Sequence, residues 1–284
     1  MSHTHPGDTN RLLGYPADAR LLIVNADDFG MCHAVNEAVF RVLGNGLLGS
    51  TTLMVPCPWA PQAMAFLGRH PELSFGVHLT IVSEWEVYRW GPVAPRSQVP
   101  TLVDKTGRFR RFEDAHEALD RLDLSELEAE FRAQIEAVLD HGLKPTHLDW
   151  HALRIGQREG LFELLLGLAR AYGLALRVRG HPAIDLTRSL GLPCCDHDFL
   201  DSYQLDPVDD PTRYHQLLRE LPAGLSEWAL HPGLEDSELL AVEGATRHVR
   251  QRDFDFLSST EAQAIVKKEG IVLLDYRALQ KHWA

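Results

Sequence analysis

The chain has 284 residues, is 45% hydrophobic and carries a net charge of −12. That length and apolar content suit one large α/β domain or two small ones with a full core. The acidic balance argues against a nucleic-acid partner and a polybasic membrane surface, and no apolar run approaches the ~20 residues that span a bilayer.

The segment Met1-Ser2-His3-Thr4-His5-Pro6-Gly7-Asp8 is polar and lacks a signal peptide's apolar stretch. Residues 1–18 are expected to form a loose tail whose histidines make no metal site. Cys32, Cys57, Cys194 and Cys195 lack zinc-finger spacing, and adjacent Cys194-Cys195 suits a structural disulfide poorly. A reducing, cytoplasmic setting is therefore expected.

Leu21-Leu22-Ile23-Val24 reads as a strand buried on both faces, running into Asn25-Ala26-Asp27-Asp28-Phe29-Gly30-Met31. Two adjacent carboxylates there are costly to desolvate unless something pairs them, and a bound cation is the simplest partner. Neighbours in a regular strand point to opposite faces, so one aspartate can hold a metal while the other stays free as a base. The competing reading makes Asp28-Phe29-Gly30 a helix cap.

Val35, Ala38, Val39, Val42 and Leu43 recur at helical spacing before Gly44-Asn45-Gly46. Ser50–Val55 is a predicted strand, Ala60–Leu67 a helix and Ser74–Thr80 a strand carrying His78 near its end. From Val82 to about Lys105 the chain is irregular; Trp85, Tyr88 and Trp90 there either stack on sugar faces or pack the loop down. Ser125-Glu126-Leu127-Glu128 is a capping box opening a helix to about Leu139. Lys144–His151 reads as loop into strand, with His147, Asp149 and His151 on one face. Three polar side chains facing one way along a buried strand point to a site.

Gly160–Tyr172 is helical, Ala175–Arg179 a strand ending in arginines, Gly180–Asp210 loop-like with short helices as an alternative, and Pro211–Leu221 helical. Leu225–Gly233 is a strand stopping at His231; Asp253–Leu257 and Ser259–Lys268 are helical, and Ile271–Tyr276 is the last strand. With no repeat or linker, residues 1–284 are read as one domain. The alternation predicts an α/β fold, a parallel sheet with helical crossovers. Asp28, His78, His151, Arg177 and His231 all finish strands, and α/β barrels build active sites at the C-terminal strand ends.

Asn25-Ala26-Asp27-Asp28-Phe29-Gly30, Gly76-Val77-His78-Leu79-Thr80, Thr146-His147-Leu148-Asp149-Trp150-His151 and His231-Pro232 together resemble the YdjC-like carbohydrate deacetylases, in the family's order and at roughly its spacing. The resemblance implies an irregular, deformed (β/α) barrel of parallel strands related to polysaccharide deacetylases and one divalent ion held by Asp28, His78 and His151. It also makes Asp27 the base and His231 the acid in removal of an acetyl group from an N-acetylated sugar. It points to magnesium, although a histidine–aspartate set also suits zinc or manganese.

Asp149, His147 and Arg177 are expected to orient these groups or meet substrate. The chain departs from the family in Ala152-Leu153-Arg154 after His151, where many members carry more histidines; sugar-facing neighbours therefore differ. The rival readings are a hydrolase of phosphoesters or cyclic amides and a non-catalytic sugar-binding protein. The expected partner is a small carbohydrate, and the oligomeric state is left open, a homodimer among the options.

Overall fold

The computed structural model describes residues 7–44, 46–154, 158–198, 200–205 and 212–283. Its strands are β1 (Arg20–Phe29), β2 (Ser50–Leu53), β3 (Ser74–Leu79), β4 (His147–Trp150), β5 (Ala175–Leu176), β6 (Leu200–Asp201), β7 (Gly224–Leu230) and β8 (Val272–Leu274). All pair in parallel, in the order β5-β4-β3-β2-β1-β7-β6, with β8 also beside β1. Among the described residues no pairing joins β5 to β6, so the sheet curls without closing by hydrogen bonds. The parallel strands and helical crossovers are those that the alternating pattern predicts, and the curled sheet is the irregular barrel that the resemblance implies.

β1 is the axis. It is buried from Leu21 onward and pairs with β7 from Arg20↔Gly224 to Ala26↔Leu230. On its other edge β8 occupies the first half, Leu21↔Val272 to Ile23↔Leu274, and β2 takes over at Asn25↔Ser50. Gly49 makes that handover possible, because a Cβ there would lie 2.5 Å from the Leu274 carbonyl oxygen.

The helices are α1 (Asp8–Leu12), α2 (His33–Val42), α3 (Ala60–Arg69), α4 (Phe112–Ala118), α5 (Leu124–Asp140) and α6 (Leu161–Tyr172), followed by α7 (His181–Ser189), α8 (Arg213–Arg219), α9 (Ser237–Glu243), α10 (Arg247–Leu257), α11 (Thr260–Lys268) and α12 (Arg277–Gln280).

Several elements differ from expectation. Residues 7–18 are not a loose tail. Gly7 N–H donates to Asp196 Oδ1 at 3.2 Å, Thr9 Oγ1 to the Cys194 carbonyl at 2.6 Å, and Asn10 Nδ2 to the Pro16 and Ala19 carbonyls at 3.0 and 2.8 Å. Short polar side chains here satisfy buried backbone instead of facing water. Residues 1–6, with His3 and His5, lie outside the described residues, as do Asn45, Asp210 and Pro211.

α5 starts at Leu124 with Asp123 as its cap, ahead of the Ser125 capping box, since the Asp123 carboxylate accepts both Ser125 N–H and Ser125 Oγ at 2.7 Å. α10 begins at Arg247, not Asp253; its first turns are too polar to register as an apolar face. In the Val82–Lys105 stretch, Trp90 is buried with Nε1 donating to the Val82 carbonyl at 2.8 Å. Tyr88 donates to the Met31 carbonyl at 2.7 Å. These two rings pack the loop down; Trp85 lines a cavity.

Gly76 faces the His147 ring, and a Cβ would come within 2.6 Å of it. His147 cannot retreat because it stacks on Tyr276, with centroids 3.6 Å apart and planes 6° apart. Gly76→Ala is therefore expected to cost about 1–3 kcal/mol in urea unfolding. Gly68→Ala on α3, where the nearest atom is Leu143 Cδ2 at 3.8 Å, should be neutral or gain up to about 1 kcal/mol.

Candidate active site

The end of β1 breaks strand geometry. Asp28 has φ 67°, a left-handed conformation uncommon for a residue with a side chain. The β1–β2 register shifts between Ala26 and Phe29. Regular alternation therefore fails at this point, and Asp27 and Asp28 both line one cavity of about 1110 Å³ at the C-terminal strand ends. The opposite-facing rule, which holds only while a strand stays regular, does not apply to this pair. Nor does Asp28 cap a helix: α2 has Cys32 at its cap position with no side-chain bond.

Asp28 Oδ1 lies 3.0 Å from His151 Nδ1 and 3.4 Å from His78 Nε2. One donor atom from each of the three residues falls within 4.8 Å of the others, and all three are buried. Donors about 2.0–2.2 Å from a common ion are separated by roughly 3 Å or slightly more, so this set fits a cation. Each ring has a carboxylate behind it: Asp149 Oδ1 sits 2.7 Å from His78 Nδ1, and Glu84 Oε2 sits 3.0 Å from His151 Nε2. Such carboxylate backing orients metal-binding imidazoles.

Burial opposes charging these rings, but neighbouring carboxylates win. Asp149 and Asp27 push His78 up to about 9, while Glu84 and Asp28 push His151 up to about 10. The cluster thus calls for positive charge, as protons or as a cation. The other oxygen of Asp28, Oδ2, accepts from Arg250 at 2.8 Å, and Arg250 also pairs with Glu243. Burial would raise the Asp28 carboxyl, but Arg250 and then His151 hold it well below its usual range.

Asp27 belongs to a second set. Arg177 grips it with two bonds, 2.7 Å to Oδ2 and 2.8 Å to Oδ1, and reaches Asp149 Oδ2 and Glu227 Oε1 at 2.8 Å each. Against the effect of burial, Arg177 lowers the Asp27 carboxyl far below the ordinary range. Strand register builds this set: His78 pairs with Asp149 across β3–β4, and Leu148 with Leu176 across β4–β5, one step before Asp149 and Arg177. Ala26 pairs with Leu230 across β1–β7, one step before Asp27 and His231. His231 Nε2 lies 3.9 Å from Asp27 Oδ2.

Asp27, Asp28, His78, Asp149, His151, Arg177 and His231 therefore converge. His147 does not: it lies one pleat deeper, stacked on Tyr276, with Nδ1 2.9 Å from Thr146 Oγ1 and no described partner at Nε2. Burial, reinforced by Arg177, holds it neutral. Glu84, Arg250, Glu243 and Glu227 were not singled out by sequence. Only Glu227 left a signal, a charge inside the apolar run Leu225–Leu230.

Fold and site together define a parallel α/β barrel protein with a buried aspartate–histidine centre at its mouth. A family model described as YdjC-like protein matches residues 21–268, and the chain belongs to that family. It is similar to a carbohydrate deacetylase of Thermoanaerobacter pseudethanolicus, 28% identical over 92% of this chain and 100% of the relative. A chitooligosaccharide deacetylase of Serratia marcescens is 27% identical over 92% of this chain and 99% of the relative. A crystal structure of an Enterococcus faecalis V583 protein, 30% identical, matches with a TM-score of 0.79 over 92% of this chain and 99% of that one.

Removing the shared cation tests the buried network. Arg177→Met leaves Asp27, Asp149 and Glu227 without their common partner, and chemical denaturation should show a loss of about 3–5 kcal/mol.

Proposed function

We propose that this protein is a divalent-metal-dependent deacetylase that hydrolyses the acetamide of an N-acetylated sugar. The observation that carries the reading is the convergence of Asp28, His78 and His151 at 3.0–3.4 Å beside a separate Asp27–His231 pair. The sugar comes from the relatives, which are named carbohydrate and chitooligosaccharide deacetylases. It is consistent with a roomy cavity lined by Trp85, Trp150 and Phe112.

Asp28, His78 and His151 would hold the ion, with Arg250 occupying Asp28 Oδ2 so that only Oδ1 faces the imidazoles. When bound, a divalent ion supplies polarisation of the amide carbonyl and acidification of water, the help that a carboxylate as weakly basic as Asp27 requires. Arg177 keeps Asp27 ionised and aimed, ready to take the proton of the attacking water. His231, whose Nε2 lies 3.9 Å from Asp27 Oδ2, delivers a proton to the departing sugar amine. Trp85 offers an aromatic face for a sugar ring.

The division of labour has a direct check. Asp27→Asn should retain metal, by elemental analysis, while acetate release from diacetylchitobiose falls about 10²–10⁴-fold. Asp28→Asn should lose both metal and activity. Equal metal loss in the two variants contradicts the assignment. Chelation should abolish acetate release, and add-back of Mg2+, Mn2+ and Zn2+ identifies which ion restores it. Reloading should also raise Tm, since the ion binds the folded chain.

A further inference from the structure

His231 has a buried support on the side away from Asp27. Ser202, fully buried just after β6, places Oγ 2.9 Å from His231 Nδ1 and also hydrogen-bonds the Asp253 side chain. Asp253, fully buried on α10, accepts the His231 backbone N–H at Oδ2, 2.7 Å, and the Tyr214 hydroxyl at Oδ1, 2.5 Å. Segments far apart in the chain thus meet behind one imidazole.

Proton bookkeeping decides what this arrangement does. A serine hydroxyl has one proton and two acceptor lone pairs, and an ionised carboxylate only accepts. Burial raises the Asp253 carboxyl, but three donors aimed at it, the His231 N–H and the Ser202 and Tyr214 hydroxyls, favour its ionised form. The Ser202 proton therefore goes to Asp253, and Oγ has only lone pairs for His231, so Nδ1 must carry a hydrogen. Nε2, the nitrogen facing Asp27 and the cavity, is left as the exchangeable position.

We infer that Ser202 and Asp253 are positioning residues that fix His231 as the Nδ1–H form, so that proton delivery to the leaving amine runs through Nε2 alone. The inference rests on the reading above that His231 is the acid. As the C–N bond breaks, its electron pair stays on nitrogen and takes the Nε2 proton of the imidazolium, leaving neutral imidazole with Nδ1–H still on Ser202. A ring released from Ser202 can rotate or place its hydrogen on Nε2, and fewer molecules are then poised for the transfer.

The experiment compares Ser202→Ala, Ser202→Thr, Asp253→Asn and His231→Ala in the metal-loaded protein on two substrates. Diacetylchitobiose has a leaving amine that needs a proton; p-nitrophenyl acetate has a leaving group that does not. Ser202→Ala and Asp253→Asn should lower kcat on the sugar about 10–100-fold, less than the loss of the acid itself, with KM within about twofold. The ester should change by less than about threefold, and Ser202→Thr, which restores a hydroxyl, should recover most of the sugar activity.

Independently of turnover, 15N spectra of the imidazoles should show His231 as Nδ1–H in the parent protein and shifted toward Nε2–H in Ser202→Ala. An unchanged kcat and tautomer in Ser202→Ala, or equal loss on both substrates, overturns the inference. Full sugar activity in His231→Ala overturns the acid assignment instead. If the parent releases no acetate, the tautomer still decides the role of Ser202.

Discussion

Two adjacent carboxylates closed off from water at the end of the central strand set the terms for this protein. Asp27 is 4% and Asp28 1% exposed, so bulk solvent cannot neutralise them, and unpaired buried charge is not tolerated. The surrounding network does not balance by side chains alone. Asp27, Asp28, Asp149, Glu227 and Glu243 are five carboxylates with side chains at most 5% exposed, and they face two guanidinium groups, Arg177 and Arg250. That leaves three negative charges in excess, and Asp28 Oδ1 and Asp149 Oδ1 are the oxygens turned to the two imidazoles. Protons on His78 and His151 offset part of it; a divalent ion offsets as much while leaving the rings neutral for ligation.

The same constraint assigns different duties to neighbouring residues of one type. Asp27, saturated by Arg177 and Asn25 Nδ2, stays an anion aimed at the cavity. Asp28, with one oxygen on Arg250, keeps the other for the histidines. The left-handed turn at Asp28 brings both to the same mouth, at a conformational cost of about 1–3 kcal/mol. Asp149 ties the sets together, accepting from Arg177 and from Thr52 at Oδ2 while facing His78 at Oδ1. Gathering Asp27, His231 and the Asp28–His78–His151 set within a few ångströms of one another follows from parallel register across β1, β3, β4, β5 and β7 more than from any loop.

What the sequence made legible is what strands deliver. Asp28, His78, His151, Arg177 and His231 each follow a short apolar run, and a parallel barrel converts that position into convergence. The partners that complete the site come from elsewhere and carry no such mark. Arg250 and Asp253 lie in a helix too polar to show an apolar face, Glu84 in an irregular loop and Ser202 in a turn after a two-residue strand. His147 shows the opposite failure: alternation fixes which face a residue takes but not its depth, and one pleat separates a core histidine from Asp149 beside the cavity. Polarity misled at the N-terminus as well, where Thr9 and Asn10 are buried by hydrogen bonding to backbone.

The central claim, that Asp28, His78 and His151 gather around a single ion, is tested most directly by anomalous scattering from crystals grown with Mn2+. The account predicts one strong anomalous peak within about 2.0–2.3 Å of a donor atom from each of these three residues, with Asp27 outside bonding distance. A peak bound instead by Asp27 and Asp149, or no peak at the cluster while the three side chains remain in place, would contradict it.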